Sequence, residues 1–230
     1  INLAVSLHAA NQEAREAIMP VAKAWPLPGL IEACQVCVPH YDHPKYSMEC
    51  MKRGIHVMCE KPAGVYTRQV REMNEEAAKH PEVVFGLMFN QRTNCLYRKM
   101  RELVQSGKYG RIRRTNWLIT SWFRSQKYYD SGAWRGTWNL DGGGALMNQS
   151  IHAIDLLQWF AGKADEVQAY TATLCHERIE VEDNGAAVLR FRNGAIGMIE
   201  GSTGVFPGFL KKIEICGTDG SAVLAEESIT

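Results

Sequence analysis

Short apolar runs alternate with helical patterns over the first 92 residues, and this alternation constrains the fold more than any other feature of the chain. Strands that alternate with helices form βαβ units, whose strands run parallel within one sheet. Residues 1–92 are therefore predicted to form a doubly wound α/β domain. The predicted strands are Ile1–Val5, Ala33–Val38, Ile55–Cys59 and Val83–Phe89, and the predicted helices are Gln12–Lys23, Tyr46–Arg53 and Thr67–His80.

The pattern changes after residue 92. Short β-runs now follow one another, separated by turns such as Asn193-Gly194, which is typical of an antiparallel sheet. Two helices are predicted among them, Leu96–Ser106 and Ala145–Phe160, and three glycines precede the second. We therefore expect an α+β domain with a mainly antiparallel sheet over residues 93–230. Its predicted strands are Arg111–Ser121, Val167–Cys175, Gly185–Phe191, Ala195–Ser202, Lys211–Cys216 and Ala222–Leu224.

The composition and charge exclude several classes of protein. The 26 Lys and Arg nearly balance the 25 Asp and Glu, so a net charge of +1 offers no electrostatic basis for binding nucleic acid or an anionic membrane. The longest stretch without these charged residues, Gly142–Ile154, falls short of the roughly 18–20 residues that cross a bilayer. The seven scattered cysteines suit buried thiols in a reducing compartment. We expect a soluble, cytoplasmic protein.

Polar motifs follow the predicted parallel strands. They are Pro39-His40-Tyr41-Asp42-His43, Glu60-Lys61-Pro62 and Asn90-Gln91-Arg92. The carboxyl ends of parallel strands meet at one edge of a sheet, where ligands bind. Lys61 would present its ammonium group at this rim, where it could donate to a reacting oxygen and help to move a proton. A surface lysine at the end of a strand is the structural alternative.

His152 is the candidate acid–base residue of the second half. It lies four residues after Asn148 and three before Asp155, a spacing that would place the three side chains on one face of the predicted helix. Histidine suits general acid–base work on an alcohol, whereas an asparagine amide can orient a substrate but cannot take a proton. A packed helical histidine is the alternative. Asp155 is expected to hold the helix or the His152 ring.

An aromatic and arginine cluster precedes the three glycines. Aromatic faces cover the apolar side of a sugar ring, and arginine binds hydroxyls, carboxylates or phosphates. A packed loop with structural tryptophans is the alternative. The candidate substrate-binding residues are Arg124, Tyr129, Trp134 and Arg135, with Asn148 from the following segment.

No metal site is expected. His40, His43 and His56 lie near two cysteines, but their spacing does not match a compact zinc site. The pair Cys34 and Cys37 lies in a predicted strand, whereas thioredoxin-type motifs open a helix.

Taken together, these motifs resemble the Gfo/Idh/MocA family of NAD(P)-dependent oxidoreductases. The resemblance covers the chain from about residue 33 to its end. It implies a Rossmann-like cofactor domain followed by a sheet domain that binds the substrate. It is carried by the segments Val38–His43, Gly54–Pro62, Phe89–Arg92, Ser106–Gly110, Gly142–Asp155, Glu182-Asp183 and Asn193–Ala195.

The resemblance also implies roles for individual residues. Lys61 and His152 would be catalytic, and NAD or NADP would be the cofactor. Many relatives carry a carboxylate where this chain has Asn148, so proton transfer would rest on Lys61 and His152. The implied cofactor contacts are Pro39, His43, Glu60, Lys61 and Gln91.

The implied reaction is hydride transfer between nicotinamide and a secondary alcohol or ketone of a small carbohydrate-like molecule, namely a sugar, a sugar derivative or a cyclitol. Two alternatives stay open. One is a non-catalytic cofactor-binding or interaction protein of the same fold. The other is a redox-neutral, NAD-assisted glycosidase.

The start of the chain departs from the expected pattern. A dinucleotide domain usually has a glycine-rich turn after its first strand, yet here Ile1–Val5 is followed by Ser6-Leu7-His8, and the first glycine is Gly29. We expect that residues of a longer protein are missing from this stretch. At least one step between neighbouring Cα atoms before Ala33 should then exceed 3.80 Å.

The predicted C-terminal sheet has two faces, and the helix Ala145–Phe160 with its neighbours can cover only one of them. We expect the other face to be buried by a partner. The predicted assembly is a homo-oligomer, a dimer or tetramer, with sheets packed face to face at roughly 10 Å.

Overall fold

A computed structural model describes residues 33–225 and 228–229. The predicted strand Ile1–Val5, the predicted helix Gln12–Lys23 and the expected break in Cα spacing lie outside the described residues. The helices are α1 (His43–Met51), α2 (Thr67–Lys79), α3 (Cys95–Gln105), α4 (Gln126–Asp130) and α5 (Ile151–Ala161). The strands are β1 (Ala33–Val36), β2 (His56–Cys59), β3 (Phe85–Leu87), β4 (Ile112–Ile119), β5 (Ala164–Ala172), β6 (Asn184–Phe191), β7 (Ile196–Ser202), β8 (Lys212–Gly217), β9 (Ser221–Ala225) and β10 (Ser228–Ile229).

The first sheet is parallel, in the order β1-β2-β3. Val36 pairs with Cys59, and Cys59 pairs with Leu87, so the three strands end at one edge. Helix α1 contacts β1, β2 and α2, and buries Met51 against Val57 and its neighbours. Each strand then leads into a polar segment, and the first and third segments begin as the 3-10 turns His40–Asp42 and Asn90–Thr93. The predicted parallel α/β arrangement is confirmed.

The second sheet has the order β10-β9-β8-β4-β7-β6-β5. Its pairings are antiparallel except for β4 with β7, which confirms the mainly antiparallel prediction. Helices α3 and α5 pack together, and the ring of Phe160 on α5 stacks on Trp117 of β4 with centroids 6.3 Å apart. Phe191 and Ile213 complete the centre of this apolar layer. No helix in the described part of the chain is long and apolar enough to cross a membrane.

The other face of this large sheet is uncovered within the described chain. Val188, Ile196 and Met198 lie on it, and each is at least half exposed. Their strand neighbours Ile199 and Phe191 point the other way, into the core. The alternation is that of a sheet with one packed face and one open face.

Helix α5 begins at Ile151, six residues later than the predicted start at Ala145. In the turn before it, Ser150 N donates to Ala145 O at 2.8 Å instead of to Leu146 O, and the carboxylate of Glu182 accepts from the backbone N–H of Gly144 and Leu146, both at 3.0 Å. Its main-chain oxygen accepts from Ala145 N at 2.8 Å. A Cβ on Gly144 would lie 1.9 Å from that oxygen, so this close approach requires glycine. Residues 145–150 therefore form a turn instead of a helix.

Candidate active site

The candidate site lies where the first sheet ends. A cleft of about 180 Å³ opens there. It is lined by Cys37, Val38, His40, His43, Glu60 and Lys61. These residues follow β1 and β2, so the parallel topology brings two separate sequence motifs to one edge.

Lys61 joins the two halves of the molecule at this edge. Its Nζ donates to the main-chain oxygen of Asn148 at 2.9 Å and to the amide Oδ1 at 3.0 Å. Burial lowers the pKa of Lys61, while the negative charges of Glu60 and Asp141 oppose that shift. The ammonium is thus half-buried, held in a fixed direction and easier to deprotonate than an exposed lysine.

His152 lies in the first turn of α5, with its ring edge-on to Phe89 and the centroids 6.0 Å apart. Its Nδ1 is buried and makes no hydrogen bond to any described residue. Burial lowers the pKa of His152, and the positive charge of Lys61 lowers it further. The negative charges of Asp155 and Glu60 oppose this shift. The ring is therefore neutral at neutral pH and able to accept a proton.

Asn148 lies in the turn before α5, so it does not share a helical face with His152 as the spacing predicts. Its Nδ2 donates to Asp141 Oδ1 at 3.1 Å. Asp141 Oδ2 accepts from Gly136 N at 3.0 Å, and His40 Nδ1 donates to the main-chain oxygen of Asp141 at 2.7 Å. Sequence reasoning missed Asp141 and gave His40 no role. The available signal was a carboxylate directly before the three glycines.

Three of the predicted cofactor contacts follow strand ends. Pro39 is exposed and precedes the 3-10 turn His40–Asp42. Glu60 is half-buried, and its carboxylate accepts from Lys61 N at 3.3 Å. Gln91 is half-buried in the turn that follows β3.

His43, the fourth predicted contact, lines the cleft as a buried side chain. Its Nδ1 lies 2.6 Å from the main-chain oxygen of Pro62 and its Nε2 lies 2.8 Å from that of Val38, so each ring nitrogen faces a backbone oxygen. Since both nitrogens are occupied in this way, the ring can shape the cleft but has no hydrogen bond to offer a ligand. It ties the end of β1 to the turn that carries Lys61.

The predicted aromatic and arginine cluster centres on Tyr128. The guanidinium carbons of Arg124 and Arg135 lie 4.8 and 4.3 Å from the centroid of its ring. Arg135 also lies over Trp134, whose ring is edge-on to His40, so the cluster adjoins the cleft. The Nε atoms of both arginines are buried without a hydrogen-bond partner among the described residues.

Tyr129, predicted to bind substrate, points into the protein. Its hydroxyl is hydrogen-bonded to Thr203 Oγ1 at 2.9 Å, and its ring packs edge-on against His176. The reason is α4, a short helix in a stretch that was expected to be irregular, which turns neighbouring side chains to different sides. The ring that both arginines contact is that of Tyr128.

Asp155 has a structural partner. Its carboxylate accepts two hydrogen bonds from Arg92, at 2.5 and 2.7 Å, which ties α5 to the turn after β3. Among the described residues, no three His, Cys, Asp or Glu side chains converge as a metal site would require.

Comparison with known proteins identifies the family. Residues 97–223 match the Gfo/Idh/MocA C-terminal domain, and residues 4–87 match the oxidoreductase family with an NAD-binding Rossmann fold. The chain belongs to the Gfo/Idh/MocA family of oxidoreductases. The resemblance in the motifs, the fold class and the expectation of an NAD-binding domain are thereby confirmed.

Curated members of the Gfo/Idh/MocA family include sugar and cyclitol dehydrogenases. The chain is 29% identical to myo-inositol 2-dehydrogenase of Thermotoga maritima over 194 residues, which covers 83% of this chain and 55% of that protein. It is 25% identical to levoglucosan dehydrogenase of Pseudarthrobacter phenanthrenivorans over 227 residues, covering 86% and 56%. The chain spans about half the length of these relatives.

Two solved structures of this family share the fold at higher identity. WlbA dehydrogenase from Chromobacterium violaceum, in complex with NADH and UDP-GlcNAcA, is 37% identical with a TM-score of 0.79. That match covers 84% of this chain and 55% of the other. WlbA from Bordetella pertussis, with the same two ligands, is 32% identical with a TM-score of 0.82, covering 95% and 70%.

Proposed function

We propose that this protein is an NAD(P)-dependent oxidoreductase that moves a hydride between nicotinamide and a secondary alcohol or ketone of a carbohydrate-like substrate. The observation that carries the proposal is the cleft at the end of the parallel sheet, where the ammonium of Lys61 is held by Asn148 and the positive charge of Lys61 acts on the unbonded His152. The sugar and cyclitol dehydrogenases among its relatives support it.

The cleft fits a nicotinamide nucleotide. It lies at the carboxyl edge of parallel strands, and the buried Nδ1 of His152 lacks a partner among the described residues. Pro39, Glu60 and Gln91 are the proposed contacts, and His43 forms part of the buried cleft wall. When bound, the cofactor supplies or accepts the hydride.

The chain itself handles the proton. In alcohol oxidation, neutral His152 accepts the hydroxyl proton of the substrate, and Lys61 donates a hydrogen bond to the oxygen as negative charge develops there. In ketone reduction the same groups act in reverse. Asn148 accepts from Lys61 Nζ with both of its oxygens and so fixes the direction of the ammonium group.

We propose that the substrate carries an anionic group. Arg124 and Arg135 both contact the Tyr128 ring beside the cleft. Neither forms an ion pair with a described carboxylate. Two cations without counter-ions favour a carboxylate or phosphate ligand, which arginine binds in bidentate geometry. The UDP-GlcNAcA bound to both WlbA structures is an anionic sugar of this kind.

Turnover by the full-length protein tests the function. NAD and NADP are each offered with myo-inositol, levoglucosan and UDP-GlcNAcA, and formation of reduced nucleotide is followed. We expect turnover with the anionic sugar, and R135Q should reduce it more than any activity on the neutral compounds. Cofactor binding without turnover on any of these would favour the non-catalytic alternative. Cleavage of a glycosidic bond without net reduced nucleotide would favour the glycosidase.

We propose a homo-oligomer, a dimer or tetramer, formed through the open face of the large sheet. The half-exposed Val188, Ile196 and Met198 support this, because a contiguous apolar strip on a sheet favours burial by a second copy. M198E should lower the mass measured by light scattering to that of a monomer. V84E, an exposed apolar position on the first half of the chain, should leave the mass unchanged. A monomeric wild type would contradict the proposal.

We propose the domain boundary between residues 92 and 93 and a cytoplasmic location. The boundary falls in the turn between β3 and α3, and all seven cysteines are free thiols. Limited proteolysis with mass mapping should find its first cut near this turn. Cell fractionation should recover the protein with the cytoplasmic fraction.

A further inference from the structure

Asp141 is a buried carboxylate that has no part in the proton transfer described above. It is 3% exposed and lies directly before the three glycines. Its side chain faces donors: Gly136 N at 3.0 Å, Asn148 Nδ2 at 3.1 Å and His40 Nδ1 at 3.3 Å. Burial raises the pKa of Asp141, while the hydrogen bonds from Gly136 and Asn148 and the charges of His40 and Lys61 oppose that shift because they favour the ionised form.

Asn148 connects this carboxylate to Lys61. Its Nδ2 donates to Asp141, and its Oδ1 accepts from Lys61 Nζ. Each end of the amide meets a partner of the matching type, so its orientation is determined by the hydrogen bonds. A negative charge at the NH₂ end polarises the amide and makes its oxygen a stronger acceptor for the ammonium group.

The charged and titratable groups around Lys61 come from both halves of the chain. Glu60 and Asp141 supply negative charge, and His40 and His152 face the same ammonium. Glu60 is only half-buried, so water screens it more than it screens Asp141. His40 donates its Nδ1 proton to the main-chain oxygen of Asp141, because such an oxygen can only accept, and this bond holds the backbone of Asp141.

We propose that Asp141 is a positioning residue: acting through Asn148, it supplies the buried negative charge that keeps Lys61 protonated and pointed at the reacting oxygen. The role in turnover rests on the proposed function, whereas the effect on Lys61 does not.

Two variants separate the charge of Asp141 from its structural contacts. In D141N, the side chain has one oxygen instead of two. That oxygen can accept from Gly136 N or from Asn148 Nδ2, and the other of these two donors loses its acceptor. In D141N/N148D, the amide at 141 accepts from Gly136 N and donates to the new carboxylate at 148, which accepts from Lys61 Nζ. The double variant therefore re-forms the hydrogen bonds with the charge moved one group closer to Lys61.

Competitive acetylation of the full-length protein, read by mass spectrometry against pH, measures the titration of Lys61 without any substrate. We expect the pKa of Lys61 to fall in D141N and to return to the wild-type value or above it in the double variant. D165N, which removes an exposed carboxylate on β5, should leave it unchanged. In turnover, kcat should fall about tenfold in D141N and recover to within about threefold of wild type in the double variant.

An unchanged titration of Lys61 in folded D141N would overturn the proposal. Should D141N fail to fold, the double variant decides, because a lower pKa of Lys61 there would also overturn it. Expected titrations together with a wild type that turns over no substrate would refute the proposed function and leave the electrostatic role of Asp141 standing. Expected titrations with unchanged turnover in D141N would refute the positioning role.

Discussion

Two aspartate–histidine pairs look alike but face different surroundings. Asp141 contacts His40 at the cleft, and Asp183 contacts His176 behind the loop that carries Arg124. The Asp183 carboxylate accepts from the backbone N–H groups of Leu174, Cys175 and His176 at 2.8 to 2.9 Å. It also accepts from His176 Nδ1 and from the side chain of Asn184.

The second pair is saturated within the chain. His176 Nε2 lies 2.8 Å from the main-chain oxygen of Arg124, so both ring nitrogens face oxygen atoms of the chain. Burial favours a higher pKa for Asp183, but the hydrogen bonds from Leu174, Cys175 and His176 outweigh it and hold that pKa below its ordinary value. The first pair instead leads through Asn148 to a cation at an open cleft. The difference teaches that the neighbours of a buried acid, rather than the acid itself, decide between a structural and a chemical role.

The largest effect on turnover should come from replacing Lys61 or His152 at the cleft. We expect K61A and H152A each to lower kcat by roughly 10²–10⁴-fold, because one removes the cation at the reacting oxygen and the other removes the proton acceptor. Affinity for NADH, measured by fluorescence titration, should change by less than about threefold. K99A, at an exposed ion pair on α3, is the matched control and should behave as wild type. If K61A and H152A both kept activity within threefold of wild type, the proposed chemical role of the cleft would be wrong.

The saturated pair should affect stability instead. D183N leaves donors of Leu174, Cys175 or His176 facing an NH₂ group, so we expect a loss of about 3 kcal/mol in the free energy of unfolding. Urea denaturation measures this loss. Turnover per folded molecule should stay within about threefold of wild type. A stable D183N with greatly reduced turnover would mean that both pairs serve the chemistry.

The pH dependence should report the cleft alone. Burial and Lys61 place the pKa of His152 below its ordinary value of 6.5, so alcohol oxidation should lose activity only when the pH falls below that value and the ring gains a proton. The alkaline limb should lie below 10.5, because burial also lowers the pKa of Lys61. Each limb should fall about tenfold per pH unit. An acid limb at or above pH 6.5 would contradict the assignment to His152.

The smallest effect should come from a third acid, the half-buried Glu182. E182Q keeps one oxygen for Gly144 N or Leu146 N and loses the other, which should cost about 1 kcal/mol by urea denaturation. Because Asn148 lies in the turn that Glu182 holds, E182Q should raise KM by a larger factor than it lowers kcat. E177Q, at an exposed position nearby in sequence, is the control.

Local pattern was sufficient for the parallel sheet and for the position of Lys61. Strand β2 ends at Cys59, and a proline follows Lys61, so the chain must leave the sheet there and present the side chain at its edge. The same kind of reasoning placed the start of a helix at Ala145. That prediction was wrong, because the segment that Glu182 binds from far along the chain is a turn in which Ser150 N donates to Ala145 O instead of to Leu146 O.

The sequence by itself determined the class of fold, the family and the candidates Lys61 and His152, because periodicity and short motifs are local properties that neighbouring residues impose on one another. Only the tertiary structure decided that Asp141 contacts His40, 101 residues away, that the ring nitrogens of His43 face backbone oxygens and that Tyr128 rather than Tyr129 contacts the arginines. Such contacts depend on how two sheets and a turn pack together. Hydrogen bonds and charges between distant segments follow from that packing and leave no periodic trace in the sequence.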